Sequence, residues 1–221
     1  MPTQTFEAAK NAGHDNSNIR KILEQLIFAR KYSAANAAIT EAVWDGTGFV
    51  GLEGFECVGL TTDGDGASWT RDQDVAEVTS HGYGEPTRRD IKKDAIGLTF
   101  VAQETNKTTL ELDKGQSLDG IKPGANGTLT IDKATKPGSQ FWEFLAIGKD
   151  GDGPDAVFVL RWLPRAQVTE NGEQKWSPDD ELRTEVTISA FVDKRVGTSM
   201  REIWAGPGLD HEAMGFPKPT P

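Results

Sequence analysis

IGLTFVAQ, residues 96–103, sets the fold class. Ile96, Leu98, Phe100 and Ala102 alternate with Gly97, Thr99, Val101 and Gln103, the period of two of a strand with one buried face. The same alternation runs through Leu182, Thr184, Val186, Ile188, Ala190 and Val192, opposite Arg183, Glu185, Thr187 and Ser189. Ala156–Leu160 is continuously apolar and β-branched, as in a strand covered on both faces. Leu129 and Ile131 predict a short strand after the Gly124–Gly127 turn, and Thr198–Trp204 predicts the last one. Asn171-Gly172 reads as a two-residue hairpin turn between strands near Arg161–Thr169 and Glu173–Trp176. Phe141–Ile147 fits a strand or a helical turn.

Two helices are expected beside these strands. Ile19, Ile22, Leu23, Leu26 and Ile27 fall at i, i+3, i+4, i+7 and i+8, one apolar stripe of a helix. Asn16 or Ser17 could cap it, and Arg30 and Lys31 suit its C-terminal dipole, while Arg20 and Lys21 in its first turn oppose that dipole. ETNKTTLELD, residues 104–113, predicts a short helix with Leu110 and Leu112 as contact residues. The fold class is therefore mainly β: an antiparallel β-sandwich or barrel with an N-terminal helix and a short flanking helix. The expected layout is an arm and helix over 1–45, the β domain over 46–208 and a C-terminal arm over 209–221.

Composition narrows the functional classes. The 221 residues suffice for a sizeable core, and six Trp with ten Phe are too many for a disordered polymer. Lys and Arg number 24 against 34 Asp and Glu, a net charge of -10, which argues against a protein that grips nucleic acid over its whole surface. Cys57 is the single cysteine, so no internal disulfide can form, and its apolar flanks in FECVGL predict a buried structural thiol. The N-terminus shows neither a basic nor an apolar signal region, and no stretch approaches the roughly 20 apolar residues of a membrane span.

Catalytic spacing is not found. His14, His81 and His211 form no metal-binding pair, and HEAMG at 211–215 lacks the second His of a zinc-peptidase helix. There is no G-x-S-x-G elbow, phosphate loop or dinucleotide fingerprint. The Asp-Gly-Asp-Gly runs at 63–66 and 150–153 could recruit Ca²⁺, but they lack the distal Glu of a calcium loop and suit tight turns. Glu111/Asp113 and Asp179/Asp180/Glu181 read as solvated surface carboxylates, and Trp142, Trp162 and Trp204 as core. No catalytic residue, metal or cofactor is expected.

One ordered set of segments carries a resemblance. VGLTTDGDGASWTRD (58–72), EVTSHGYGEPTRRDI (77–91) and IGLTFVAQETNKTTLEL (96–112) resemble the major tail proteins of siphophages, especially those infecting actinobacteria. VTISAFVDKRVGTSMREIWAGPG, residues 186–208, is similar to that family's final hairpin. The resemblance implies a virion structural protein, made in the host cytoplasm, whose copies close into hexameric rings. Those rings stack into the tail tube, with the tape measure protein and the tail terminator and tip proteins as partners. Double-stranded DNA would pass through the lumen without specific binding. Inter-subunit contacts are expected at the acidic turn with Asp63 and Asp65, and around Arg88, Arg89 and Asp90. A tail terminator, a head decoration protein or a carbohydrate-binding module are the alternative readings.

Overall fold

Eight strands form one antiparallel sheet in the computed structural model, which describes residues 5–64, 66–135 and 138–218. In chain order they are β1 (Glu24–Lys31), β2 (Glu56–Cys57), β3 (Ser68–Thr79), β4 (Pro86–Ala102), β5 (Trp142–Asp150), β6 (Val157–Asn171), β7 (Thr184–Ala190) and β8 (Arg201–Ala205). The order across the sheet is β2-β1-β5-β6-β7-β4-β3, and β8 pairs with the first part of β6. Helix α1 (Phe6–Gly13) precedes the sheet and α2 (Lys107–Lys114) follows β4.

The sheet closes on itself through the chain after β2. Val58 N–H donates to Ile27 O at 2.9 Å on β1, while Thr62 N–H donates to Val101 O at 3.1 Å and Gln103 N–H to Leu60 O at 2.9 Å. One extended segment thus joins the two distant sides of the sheet and leaves a barrel. Its interior holds Ile27 and Ala29 of β1, Leu98 and Phe100 of β4, Trp142 and Phe144 of β5, and Val186 and Ile188 of β7. These are the alternating positions that the sequence marks in β4 and β7. Helix α2, capped by Asn106 with Thr109 and ended by Gly115 at φ 60°, inserts Leu112 into this core.

A second apolar layer lies outside the barrel wall. Leu145, Ile147, Leu160 and Trp162 point outward from β5 and β6 and are covered by Ile39, Val43 and the rings of Trp44 and Phe49, which pack with Phe158 of β6. Both faces of β5 and β6 are therefore buried, which resolves Phe141–Ile147 as strand and explains its continuous apolar run. A bulge near Pro164 swaps the facing of β6, so that Trp162 points out while Leu163 and Ala166 point in.

The cover is pinned by buried charge. Glu143, fully buried on β5, accepts from Arg30 at 2.7 Å, Arg195 at 3.2 Å and the Asn36 amide at 2.8 Å. Arg30 also donates to Ala37 O and Glu53 O, and Arg195 to Ser33 O and Asn36 O. Burial works against charge on Asp193, yet its hydrogen bonds from Arg195 outweigh that and lower its pKa.

Several sequence expectations are corrected. The helix expected from Ile19 to Lys31 is absent: residues 24–31 are β1, and the helix lies earlier, at 6–13. Ile27 and Ala29 face the inner core while Phe28 packs on the outer layer; of the helical stripe only Ile27 is buried, and Ile22, Leu23 and Leu26 owe their apolar character to an open surface rather than to one helix face. Leu129 is half exposed and its segment is not a strand. Asn171-Gly172 does not form the two-residue hairpin. Asn171 stays in the β6 ladder opposite Val186, and neither residue takes the positive φ that such a turn requires. Glu111 is buried, not solvated, and accepts from Lys31 at 2.9 Å. Cys57 is exposed rather than buried.

Replacing Glu143 with alanine would leave the buried Arg30 guanidinium without its carboxylate and the partly buried Arg195 with Asp193 alone. Urea denaturation should show a loss of about 3–5 kcal/mol; a loss below about 1 kcal/mol would mean the network holds nothing.

Candidate functional site

The β3–β4 hairpin outruns the barrel. Only Gly97–Ala102 of β4 pair with β7, so from Arg71 and Ile96 to the turn at 80–85 the two strands pair only with each other. This gives a two-stranded ribbon of about 30 Å. Isolated ribbons of this kind are marginal in water. The strands carry Val78 and Ile91 and the turn carries Tyr83, at 50%, 61% and 71% exposure, apolar groups with no partner surface of their own among the described residues.

Cross-strand charge stiffens the ribbon. Arg71 grips Asp94 with two hydrogen bonds of 2.8 and 2.6 Å, Lys93 reaches Asp72 at 2.8 Å, and Arg89 lies 4.0 Å from Glu77. Arg88 turns to Asp90 on its own strand at 2.7 Å. Arg88, Arg89 and Asp90 are therefore gathered on the ribbon and exposed. Asp63 lies elsewhere, beside an open groove, and Asp65 falls outside the described residues.

That groove, about 1040 Å³ in volume, opens near the start of β6. Ile22, Leu23, Leu26, Leu60, Trp69 and Trp204 give it an apolar lining. Four of these, Ile22, Leu23, Leu26 and Leu60, are between 47% and 69% exposed. On its wall the Arg161 guanidinium sits 5.1 Å from the Trp69 ring and bonds Glu202 at 2.6 Å, while Trp204 Nε1 donates to the same carboxylate. Sequence reasoning assigned Ile22, Leu23 and Leu26 to a helix face. Their apolarity was legible, but their exposure depends on β1 being a strand.

The opposite end of β6 is closed by α2. Asn171 donates to Leu112 O at 3.3 Å, and Lys31 ties Glu111 to Asp119, which Lys107 also bonds at 2.6 Å. Hydrogen bonds from Lys107 and Lys31 hold the exposed Asp119 carboxyl well below the usual carboxylate range. Beyond Asn171 the connection to β7 carries Trp176, 89% exposed and the most exposed large hydrophobic among the described residues.

Among the described residues, no His, Cys, Asp and Glu side chains gather in threes to hold a metal, and no helix is long and apolar enough to cross a membrane. What the described surface offers is a charged ribbon with exposed Val78, Tyr83 and Ile91, an apolar groove and an exposed aromatic.

The Asp94 carboxyl is lowered to about 2, chiefly by the Arg71 hydrogen bonds. A carboxylate whose folded pKa is depressed stabilises above its ordinary value and loses that contribution as pH falls through the depressed one. Amide protection factors in residues 71–96, the intrinsic over the observed exchange rate at each pH, should thus hold steady down to about pH 4 and fall toward about pH 2. Asp94→Asn should lower them already at neutral pH. A fall in the wild type between about pH 6 and 5 would contradict this assignment.

A family model described as "Phage tail tube protein" matches residues 16–201. No curated protein matches the chain. A solved structure described as "Crystal structure of Hcp protein" aligns with 83% of this chain and 99% of its own, at 11% identity and a TM-score of 0.30, a likeness too remote to inform function.

Proposed function

The chain belongs to the phage tail tube protein family, and from that membership we propose that it is a non-catalytic virion subunit whose copies close into hexameric rings and stack into a tube. Double-stranded DNA passes through the lumen on its way into the host cell, and the tape measure protein occupies the lumen before it. Terminator and tip proteins cap the two ends, and assembly takes place in the host cytoplasm.

The observation that carries this reading is the ribbon. A barrel that closes within one chain has satisfied most of its strand edges, so lateral association must use what is left over. The ribbon presents the longest unpaired edges among the described residues, β3 from Ser68 and β4 up to Ile96. It also exposes Val78, Tyr83 and Ile91. Docked on a neighbour, it gains the partner that a lone hairpin lacks. Arg88, Arg89 and Asp90 exchange their intrachain pairs for interchain ones there, and Asp63 serves a ring-to-ring contact. The charge of -10 suits a lumen that repels phosphate, so DNA slides without being held.

Electron microscopy of the purified protein at rising concentration should show rings and then tubes of uniform diameter. A protein that stays monomeric at every concentration overturns the proposal. Removing residues 74–92 and bridging the stubs with a short turn should keep the barrel folded by circular dichroism but abolish assembly. Tubes formed without those residues would remove the ribbon from the interface.

A further inference from the structure

One strand-like segment of this chain has no strand to pair with. From Gly115 to Phe141 the connection between α2 and β5 forms neither helix nor strand among the described residues, an unusual length of irregular chain for a compact domain. Residues 119–130 are exposed throughout, with Ile121 and Leu129 at 37% and 51%. Thr128–Asp132 reads Thr, Leu, Thr, Ile, Asp, the alternation and the β-branched composition of a strand. A turn leads into it, with Gly127 N–H donating to Gly124 O at 2.8 Å and Gly124 N–H to Thr128 O at 2.9 Å. The Gln116 amide grips its far end, donating to Asp132 O and accepting from Ala134 N–H at 2.7 Å each. Between these anchors the main chain of Leu129, Thr130 and Ile131 makes no hydrogen bond among the described residues.

The ribbon supplies the reverse, an edge without a strand. β3 stands last in the sheet order and pairs with β4 alone. Resting on the tube-forming role above, we infer that residues 128–132 of one copy add as a strand to the free edge of β3 in another. Charge selects that edge over the other side of the ribbon. β3 carries Asp72, Asp74 and Glu77 against Arg71, whereas β4 carries Arg88, Arg89, Lys92 and Lys93 against Asp90 and Asp94. The segment and its flanks are basic, with Lys122, Lys133 and Lys136 against Asp132, in a chain of net charge -10. They attract the β3 edge and repel the β4 edge, while the backbone ladder supplies the affinity. Position favours a second copy. β1 and β4 both run antiparallel to the closing segment, at Phe28↔Cys57 and Thr61↔Ala102, so they point the same way. The ribbon precedes Gly97 of β4 and leaves the barrel at the end where β1 begins. Lys31, the last residue of β1, bonds Ser117 and Asp119 and holds the stem of the segment at the other end. A segment at one end and an edge at the other make a heterologous contact, which adds copies in sequence.

Leu129→Pro and Thr130→Pro test the pairing, because neither N–H is bonded in the free subunit and one of the two faces the β3 edge in any register. Both variants should keep the circular dichroism and melting of the wild type, and at least one should need about tenfold more protein to assemble. Unchanged thresholds in both overturn the pairing but leave the tube-forming role standing. Cysteine pairs locate the partner. In a Cys57→Ser background, Thr130→Cys is co-assembled with a second variant carrying Gln73→Cys, Asp74→Cys or Glu77→Cys. Mild oxidation should give, for at least one mixture, a disulfide-linked dimer holding one chain of each kind, lost on reduction. Tubes that yield no mixed dimer overturn the inference. So does an internal disulfide in a chain carrying Thr130→Cys and Asp74→Cys together, at concentrations where the wild type is monomeric, because it puts the segment on its own ribbon. Failure of the wild type to form rings or tubes removes the tube-forming role, and the pairing with it.

Discussion

The short segment from Val58 to Thr62 governs the rest of the structure. By bonding to β1 on one side and β4 on the other, it turns an open, curled sheet into a closed wall. Without it the barrel interior would face solvent along a seam, and Val58, fully buried, would lose its place. Closure also sets the facing of every strand, because inward residues must meet across the interior. Outward residues of β5 and β6 then need separate cover, and residues 33–55 provide it.

That cover is held by polar rather than apolar means at its most buried point. Glu143 joins two arginines and an asparagine; the arginines also reach backbone carbonyls of the covering loops, and Asn36 that of Lys31 at the end of β1. Such a network adds little net stability over an apolar core, but breaking it strands charge. It fixes one arrangement of the loops at 33–37 and 193–197, and so the outer shape of the subunit. With wall and cover satisfied internally, the exposed apolar features among the described residues include the ribbon, the groove and the connection at Trp176.

Much of the wall was legible in the sequence. The alternation in Ile96–Gln103 named inward residues correctly, and that from Leu182 to Val192 did so for Val186, Ile188 and Ala190, where the strand has one apolar and one polar face, but not for Leu182 and Val192, which lie beyond β7 and are exposed. The helix at 104–113 was legible from its contact residue Leu112, and is found at Lys107–Lys114. β1 was not, because it is covered on both sides only from Ile27 to Arg30 while Leu26 is exposed at the groove, so no period of two shows, and Ile19 to Ile27 happen to fit a helical stripe. Cys57 looked buried by its apolar neighbours, although β2 is a two-residue edge strand whose outward side has no cover. On the ribbon only the charged group Arg88, Arg89 and Asp90 was singled out in the sequence. The ribbon's projection was not legible, since it depends on where β7 stops pairing with β4. The groove belongs to the same class: its lining comes from segments distant in sequence and meets only once the barrel closes.

The central claim is that the closed wall is complete in one chain and that copies associate through the ribbon. Hydrogen–deuterium exchange of the free subunit and of its assembled form tests this most directly. Residues 71–96 should exchange fast in the free subunit and become strongly protected on assembly, while β1, β5 and β6 are protected in both. If instead the barrel strands gain protection only on assembly and the ribbon remains fast throughout, the wall is not self-sufficient and the account is wrong.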